Sequence, residues 1–140
     1  MSTGTARARE ELFAAHLLGT TGFAAQTVAL AFRAALAAAE GALVLLDRTP
    51  EPEPAAVVAA FIRHVVRERG LDPEAGRLLR SLFNRSEMAN ADGAVPQPEA
   101  ARAIADATTM VDVVAAWIDK AHQVATERHP RPAPPARRRR

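Results

Sequence analysis

Cysteine and tyrosine are absent from this chain of 140 residues, and its aromatic side chains are five Phe and one Trp. Without Cys there is no disulfide scaffold, no Cys-ligated zinc ion and no thiol nucleophile. Few aromatic side chains are available to pack on a pleated sheet, whereas 33 Ala favour helices. The length corresponds to one domain, so the sequence predicts a single all-α domain.

Lysine is almost missing as well, because Lys120 is the only one among 18 basic residues. The net charge of +2 conceals a split between the two parts of the chain. Residues 126–140 contain six Arg and one Glu, which leaves residues 1–125 mildly acidic. The arginines of the tail either hold nucleic acid non-specifically or only keep a disordered end soluble.

No long hydrophobic run is free of charge. The longest apolar stretch, residues 29–46, is mostly Ala and is interrupted by Arg33 and Glu40. The first residues carry Arg7 and Arg9 and lack the apolar core of a signal peptide. We therefore expect a cytoplasmic protein without a membrane partner.

Proline and glycine divide the chain into about five helices, because no Pro interrupts a helical period. The arrangement predicts an up-and-down bundle over residues 1–125, with neighbouring helices antiparallel and residues 126–140 as a disordered Pro/Arg-rich tail. The predicted segments are a helix over 5–18 ending at Gly19, a turn over 19–22, a helix to Asp47, a helix from Pro54 to Gly70, a helix capped by Asp72, a loop over 91–95, and a helix opening at Pro98.

Motifs for common active sites are missing. No two of the four His stand at the i, i+4 spacing that lets two imidazoles share one metal ion, and no Glu-x-x-His motif occurs. Neither a Gly-x-Ser-x-Gly elbow nor a Gly-rich phosphate loop is found. We expect no metal and no cofactor.

Arginines are concentrated in the middle of the chain. On the fourth helix the apolar side is taken by leucines and Phe83, so Arg77 and Arg80 are predicted to line a solvated face. Arg85 follows near the end of that helix, where a guanidinium can bind a phosphate with two hydrogen bonds. The alternative is a structural Arg85, held by the helix dipole or by a salt bridge.

Two blocks of sequence resemble the HEPN superfamily, specifically the small prokaryotic HEPN proteins of the UPF0332 type. The resemblance covers about residues 10–120. Its first block matches a first helix, a glycine turn and a long second helix through the sequence Ala14-Ala15-His16-Leu17-Leu18, Gly22-Phe23, Val28, Ala31-Phe32, Ala34, Ala38-Ala39 and Ala42-Leu43. Its second block matches a third helix and a fourth ending in a signature arginine through Phe61-Ile62, Gly70-Leu71, Leu78-Leu79, Leu82 and Arg85.

The resemblance implies a helical bundle that forms a homodimer. In active relatives the signature arginine and a later histidine meet their two-fold mates in a cleft and cut RNA without a metal ion. Such relatives are toxins paired with a nucleotidyltransferase antitoxin. The resemblance therefore implies RNA or nucleotide as a ligand and a nucleotidyltransferase-type partner for this chain.

This sequence departs from the family pattern after Arg85. The positions for His or Tyr hold Asn90, Ala91 and Asp92. An amide cannot transfer a proton near neutral pH as imidazole does, and loss of acid–base catalysis lowers a rate by about 10²–10⁴-fold. We expect Arg77, Arg80 and Arg85 to bind RNA or another anion, with weak or no nuclease activity.

Two other interpretations stay open. In one, the protein is a working metal-independent ribonuclease in which Arg85 clamps the transition state and Asn90 or Asp92 orients the reacting groups. In the other, it is a helical interaction module without catalysis, whose apolar helix faces recruit another protein.

Overall fold

A computed structural model describes residues 3–20, 23–49, 51–92 and 95–128. These residues form five α-helices and no strand, which confirms the predicted all-α bundle. Of the predicted disordered tail over residues 126–140, residues 126–128 belong instead to the last helix, and residues 129–140 lie outside the described residues. The helices are α1 (Thr3–Thr20), α2 (Ala24–Leu45), α3 (Pro54–Phe61), α4 (Pro73–Asp92) and α5 (Gln97–Arg128).

Helix α2 is the centre of the bundle and packs against all four other helices. Small side chains allow its neighbours to approach closely, since Ala residues make up most of its buried positions. The Ala-rich face is therefore used within the bundle. Phe32 of α2 packs on Phe83 of α4, with ring centroids 5.6 Å apart.

By length and composition alone, α2 is the one described helix that qualifies as a membrane span. However, 56% of its apolar window is buried inside the bundle. A buried core helix and an N-terminal signal sequence pass the same length and composition test, so α2 is only weak evidence for a membrane span.

The first helix is longer than predicted. We expected it to end at Gly19, and this is wrong because α1 continues through Gly19 to Thr20. The remaining residues of the predicted turn, 21 and 22, lie outside the described residues. A glycine near a helix end is thus not by itself a stop signal.

The third helix contains a feature that the sequence did not predict. After Phe61 the chain continues as a π-helical turn over Ile62–Arg67. Gly70 then ends the segment as predicted, with φ at +74°, and the Leu71 amide donates back to the Val65 carbonyl. This backbone pattern is the one in which glycine closes helices.

Helices α4 and α5 form a packed pair, and α4 carries all the predicted site residues. The Asp72 carboxylate accepts from the Glu74 amide at 3.0 Å, which confirms the predicted cap of α4. The predicted loop over 91–95 is wrong at its start, because α4 continues through Ala91 to Asp92. The buried side of the pair is apolar, with Leu79, Leu82, Val111, Val114 and Ile118 in the core.

Candidate functional site

Arg85 lies between α4 and α5 and is held there by three side chains. Its Nη2 donates to Asp106 Oδ2 at 2.7 Å, and its Nη1 lies 3.5 Å from Glu99 Oε2. Its Nε donates to Ser81 Oγ at 3.2 Å. Only 19% of the Arg85 side chain is exposed.

Two carboxylates balance the charge of Arg85. The Arg102 guanidinium, which donates to Glu99 at 2.8 Å, and then Arg85 hold the pKa of Glu99 below its usual range. Glu99 therefore carries its charge at neutral pH. A phosphate that approached Arg85 would meet these carboxylates and would have to displace Asp106 to form a bidentate contact.

A cavity of about 210 Å³ lies beside Arg85. Among the described residues that line it, only Arg85 and Glu99 are charged, and the rest are apolar, such as Val28, Met88 and Val95. A site for an anion needs an excess of positive charge or of hydrogen-bond donors. This cavity offers one cation that is already paired.

Asn90 faces a different concavity, of about 790 Å³, at the end of the bundle. Five residues along an α-helix correspond to a rotation of about 140°, so Asn90 and Arg85 point in different directions from α4. The concavity around Asn90 includes Phe23 and Gln97, and it shares Ala89, Val95 and Pro96 with the cavity beside Arg85. Asn90 and Arg85 therefore line adjoining concavities, and no contact between the two side chains is seen among the described residues.

Asp92, the other candidate for an orienting group, is the last residue of α4. Its side chain lies outside what the structure describes. None of the described residues around the two concavities is a histidine. His64 lies on the π-helical turn, where Glu68 Oε1 is 3.0 Å from its Nδ1 and has its pKa lowered by that contact.

Arg77 and Arg80 line a groove between the π-helical turn and α4. The groove has a volume of about 640 Å³ and includes a third arginine, Arg67. Arg77 forms an ion pair with Glu74 of the same helix. Arg85 is not part of this groove, so the three arginines predicted as one anion site belong to two separate places.

Sequence reasoning missed three residues that define these sites. Asp106 and Glu99 neutralise Arg85, and Arg67 adds a cation to the groove. Among the described residues, no group of three or more His, Asp or Glu is placed to hold a metal ion.

The chain was compared with known proteins, and neither a protein-family model nor a curated protein matches it. The similarity to HEPN proteins therefore stays a prediction from the two blocks of sequence that resemble that superfamily. What the site can do chemically is decided by the contacts of Arg85 and by the arginines of the groove on α4.

Proposed function

We propose that the protein is a non-catalytic, HEPN-like interaction subunit of a two-component system of the toxin–antitoxin type. Its partner in this proposal is a nucleotidyltransferase-type or other protein. In this proposal the helical bundle is the scaffold, and the groove between the π-helical turn and α4 is the surface that contacts the partner. Homodimer formation is part of it, since the resemblance implies a dimer.

The observation that carries the absence of catalysis is the pairing of Arg85 with Asp106 and Glu99. A transition-state clamp must offer its donors to the charge that develops on the substrate. Here those donors are directed at protein carboxylates, and none of the described residues that line the cavity beside Arg85 is a histidine.

The working ribonuclease is the alternative, and it requires a rearrangement. Asp106 would have to release Arg85, and a proton carrier would have to enter the cavity from outside the described residues or from a second copy. RNA or nucleotide binding without cleavage is a second candidate, and one observation favours it. Arg80 is exposed and has no ion pair among the described residues.

A cleavage assay tests the proposal. Purified wild type, Arg85→Ala and Asp106→Asn are incubated with a labelled single-stranded RNA in the presence of EDTA, and expression of each is induced in cells. We expect no cleavage and no growth arrest from any of the three. RNA cleavage by the wild type that Arg85→Ala abolishes would overturn the proposal in favour of the ribonuclease.

A further inference from the structure

We infer that the groove between the π-helical turn and α4 binds an acidic, amphipathic helix of a partner protein. The inference rests on the proposed function in taking a protein as the ligand, and it specifies the site and the chemistry of that partner. The groove is lined by apolar residues at its floor and by arginines at its edge.

The floor is aliphatic and closely packed. Ile62 and Val66 project from the π-helical turn, and Gly76 of α4 lies against them. A Cβ added at Gly76 would lie 3.3 Å from Ile62 Cγ1 and 3.4 Å from Val66 Cγ2. The missing side chain thus lets the two segments approach, and the remaining surface suits a leucine-sized anchor of a bound helix.

The described part of the groove's edge carries positive charge only. Arg67, Arg77 and Arg80 are its charged lining residues, and all three are exposed. Glu74 pairs with Arg77, whereas Arg67 and Arg80 have no ion pair among the described residues. Planar guanidinium groups bind carboxylates with two parallel hydrogen bonds, so an acidic partner complements this edge.

The spacing along α4 fits a helix. Arg77, Arg80, Ser81 and Asn84 all line the groove and follow one another at helical i, i+3, i+4 and i+7 positions. This row extends about 10 Å, enough for two turns of a bound helix. A π-helical turn in the opposite wall is a further indication, since π-helical segments are rare and occur frequently at functional sites.

Single-stranded RNA fits the groove less well. None of the described residues that line it is aromatic, so bases find no platform for stacking there. The arginines alone would contact phosphates, which gives weak and strongly salt-dependent binding. The aliphatic floor favours the peptide, and RNA is an outcome that the experiment distinguishes.

The probe is a fluorescent helical peptide of about 16 residues, long enough to be partly helical in water. It contains Ala, two Leu at i and i+4, and Glu on both flanks. Matched peptides replace the Glu by Gln or the Leu by Ser, and an oligouridine of similar length represents RNA. Fluorescence polarisation measures the binding of each probe to the full chain.

The groove variant is Arg67→Glu/Arg80→Glu, and the control is Arg48→Glu/Lys120→Glu, which changes the net charge equally outside the groove. We expect the acidic peptide to bind the wild type, and the groove variant to weaken binding about tenfold or more. The control variant should stay within about twofold of the wild type, and both matched peptides should bind more weakly.

Equal peptide affinity in the wild type and the groove variant would overturn the inference, as would no binding at all. Oligouridine that binds more tightly than the peptide and is lost in the groove variant would assign the groove to RNA. A dimer that becomes monomeric in the groove variant would assign it to a second copy of the chain. RNA cleavage that depends on Arg85 would instead overturn the proposed function. The measured binding of the peptide to the groove would not be affected by that result.

Discussion

Arg85 of α4 donates from Nη2 to Oδ2 of Asp106 on α5 at 2.7 Å, and this pair joins the two helices that carry the candidate site. The side chains are 19% and 37% exposed. Partial burial makes the pair sensitive to the loss of one partner, because the remaining charge is left poorly solvated.

Asp106→Asn should therefore destabilise the protein. We expect the free energy of unfolding to fall by about 1–2 kcal/mol, since the change removes a negative charge beside Arg85 and leaves Glu99 as its one carboxylate partner among the described residues. Urea unfolding followed by circular dichroism measures the effect.

Asp112→Asn is the matched control for this prediction. Asp112 lies on the same helix and accepts from Arg9 at the same distance of 2.7 Å, but both side chains are at least half exposed. Exposed pairs contribute little, so this variant should lose at most about 0.5 kcal/mol. Equal losses in the two variants would show that burial of the Arg85 pair has no energetic consequence.

The Glu99 carboxylate predicts a dependence of stability on pH. Its pKa in the folded protein is lowered from 4.5, through Arg102 first and also through Arg85. A lowered folded pKa gives stability that is present above about pH 4.5 and is lost as pH falls through the folded pKa.

Glu99→Gln should therefore flatten the decrease of stability with acid, as measured by urea unfolding at several values between about pH 3 and pH 7. Glu87→Gln is the control, since Glu87 is exposed on α4 and forms no ion pair among the described residues. If the stability of Glu99→Gln decreases with acid as steeply as that of the wild type, the contacts of Glu99 with Arg102 and Arg85 are not the cause of the lowered pKa.

Gly70 supplies a backbone prediction. Its φ of +74° suits glycine, and no atom lies within 4 Å of an added Cβ, so the cost of Gly70→Ala comes from the backbone alone. We expect a loss of about 1–2 kcal/mol in the free energy of unfolding, and a smaller loss for Gly70→Asn because Asn tolerates this region. A neutral Gly70→Ala in thermal or urea unfolding would show that the turn has another conformation.

Much of the fold could be predicted because the chain marks its helix ends chemically. Asp72, Pro73 and Glu74 predict the start of α4, and Gly70 predicts the end of the preceding segment. The π-helical turn could not be predicted, since it has no side-chain signature of its own in the sequence. Gly19 shows the limit of local signals, because a glycine is tolerated inside a helix.

The pairing of Arg85 with Asp106 could have been predicted from the sequence. When two antiparallel helices are joined by a short connection, residues that are equally far from that connection along the chain lie side by side. With the connection centred between Asp92 and Gln97, Arg85 lies opposite about residue 104, so Asp106 was a candidate partner. Arg67 was not predictable as a groove residue, because its placement depends on the π-helical turn.

The proposed homodimer gives a prediction on α1. Phe13 and Leu17 are exposed by 68% and 53% and stand one helical turn apart, so they offer one apolar surface. Light scattering of the wild type should give the mass of a dimer, and Phe13→Ser/Leu17→Ser should shift it toward the monomer. Val44→Ser, at another exposed apolar side chain, is the control. A wild-type monomer at micromolar concentration would contradict the dimer.

Arg85 donates to Asp106, and the proposed absence of catalysis depends on the claim that this contact keeps the Arg85 guanidinium from binding a phosphate. Nitrogen–proton NMR of the arginine side chains tests it directly, with the Arg85 Nη2–H signal assigned by its disappearance in Arg85→Lys. We predict that this signal is sharp, that it moves in Asp106→Asn, and that saturating RNA leaves it in place. A shift of the Arg85 signal on addition of RNA to the wild type, as large as that caused by Asp106→Asn, would contradict the claim.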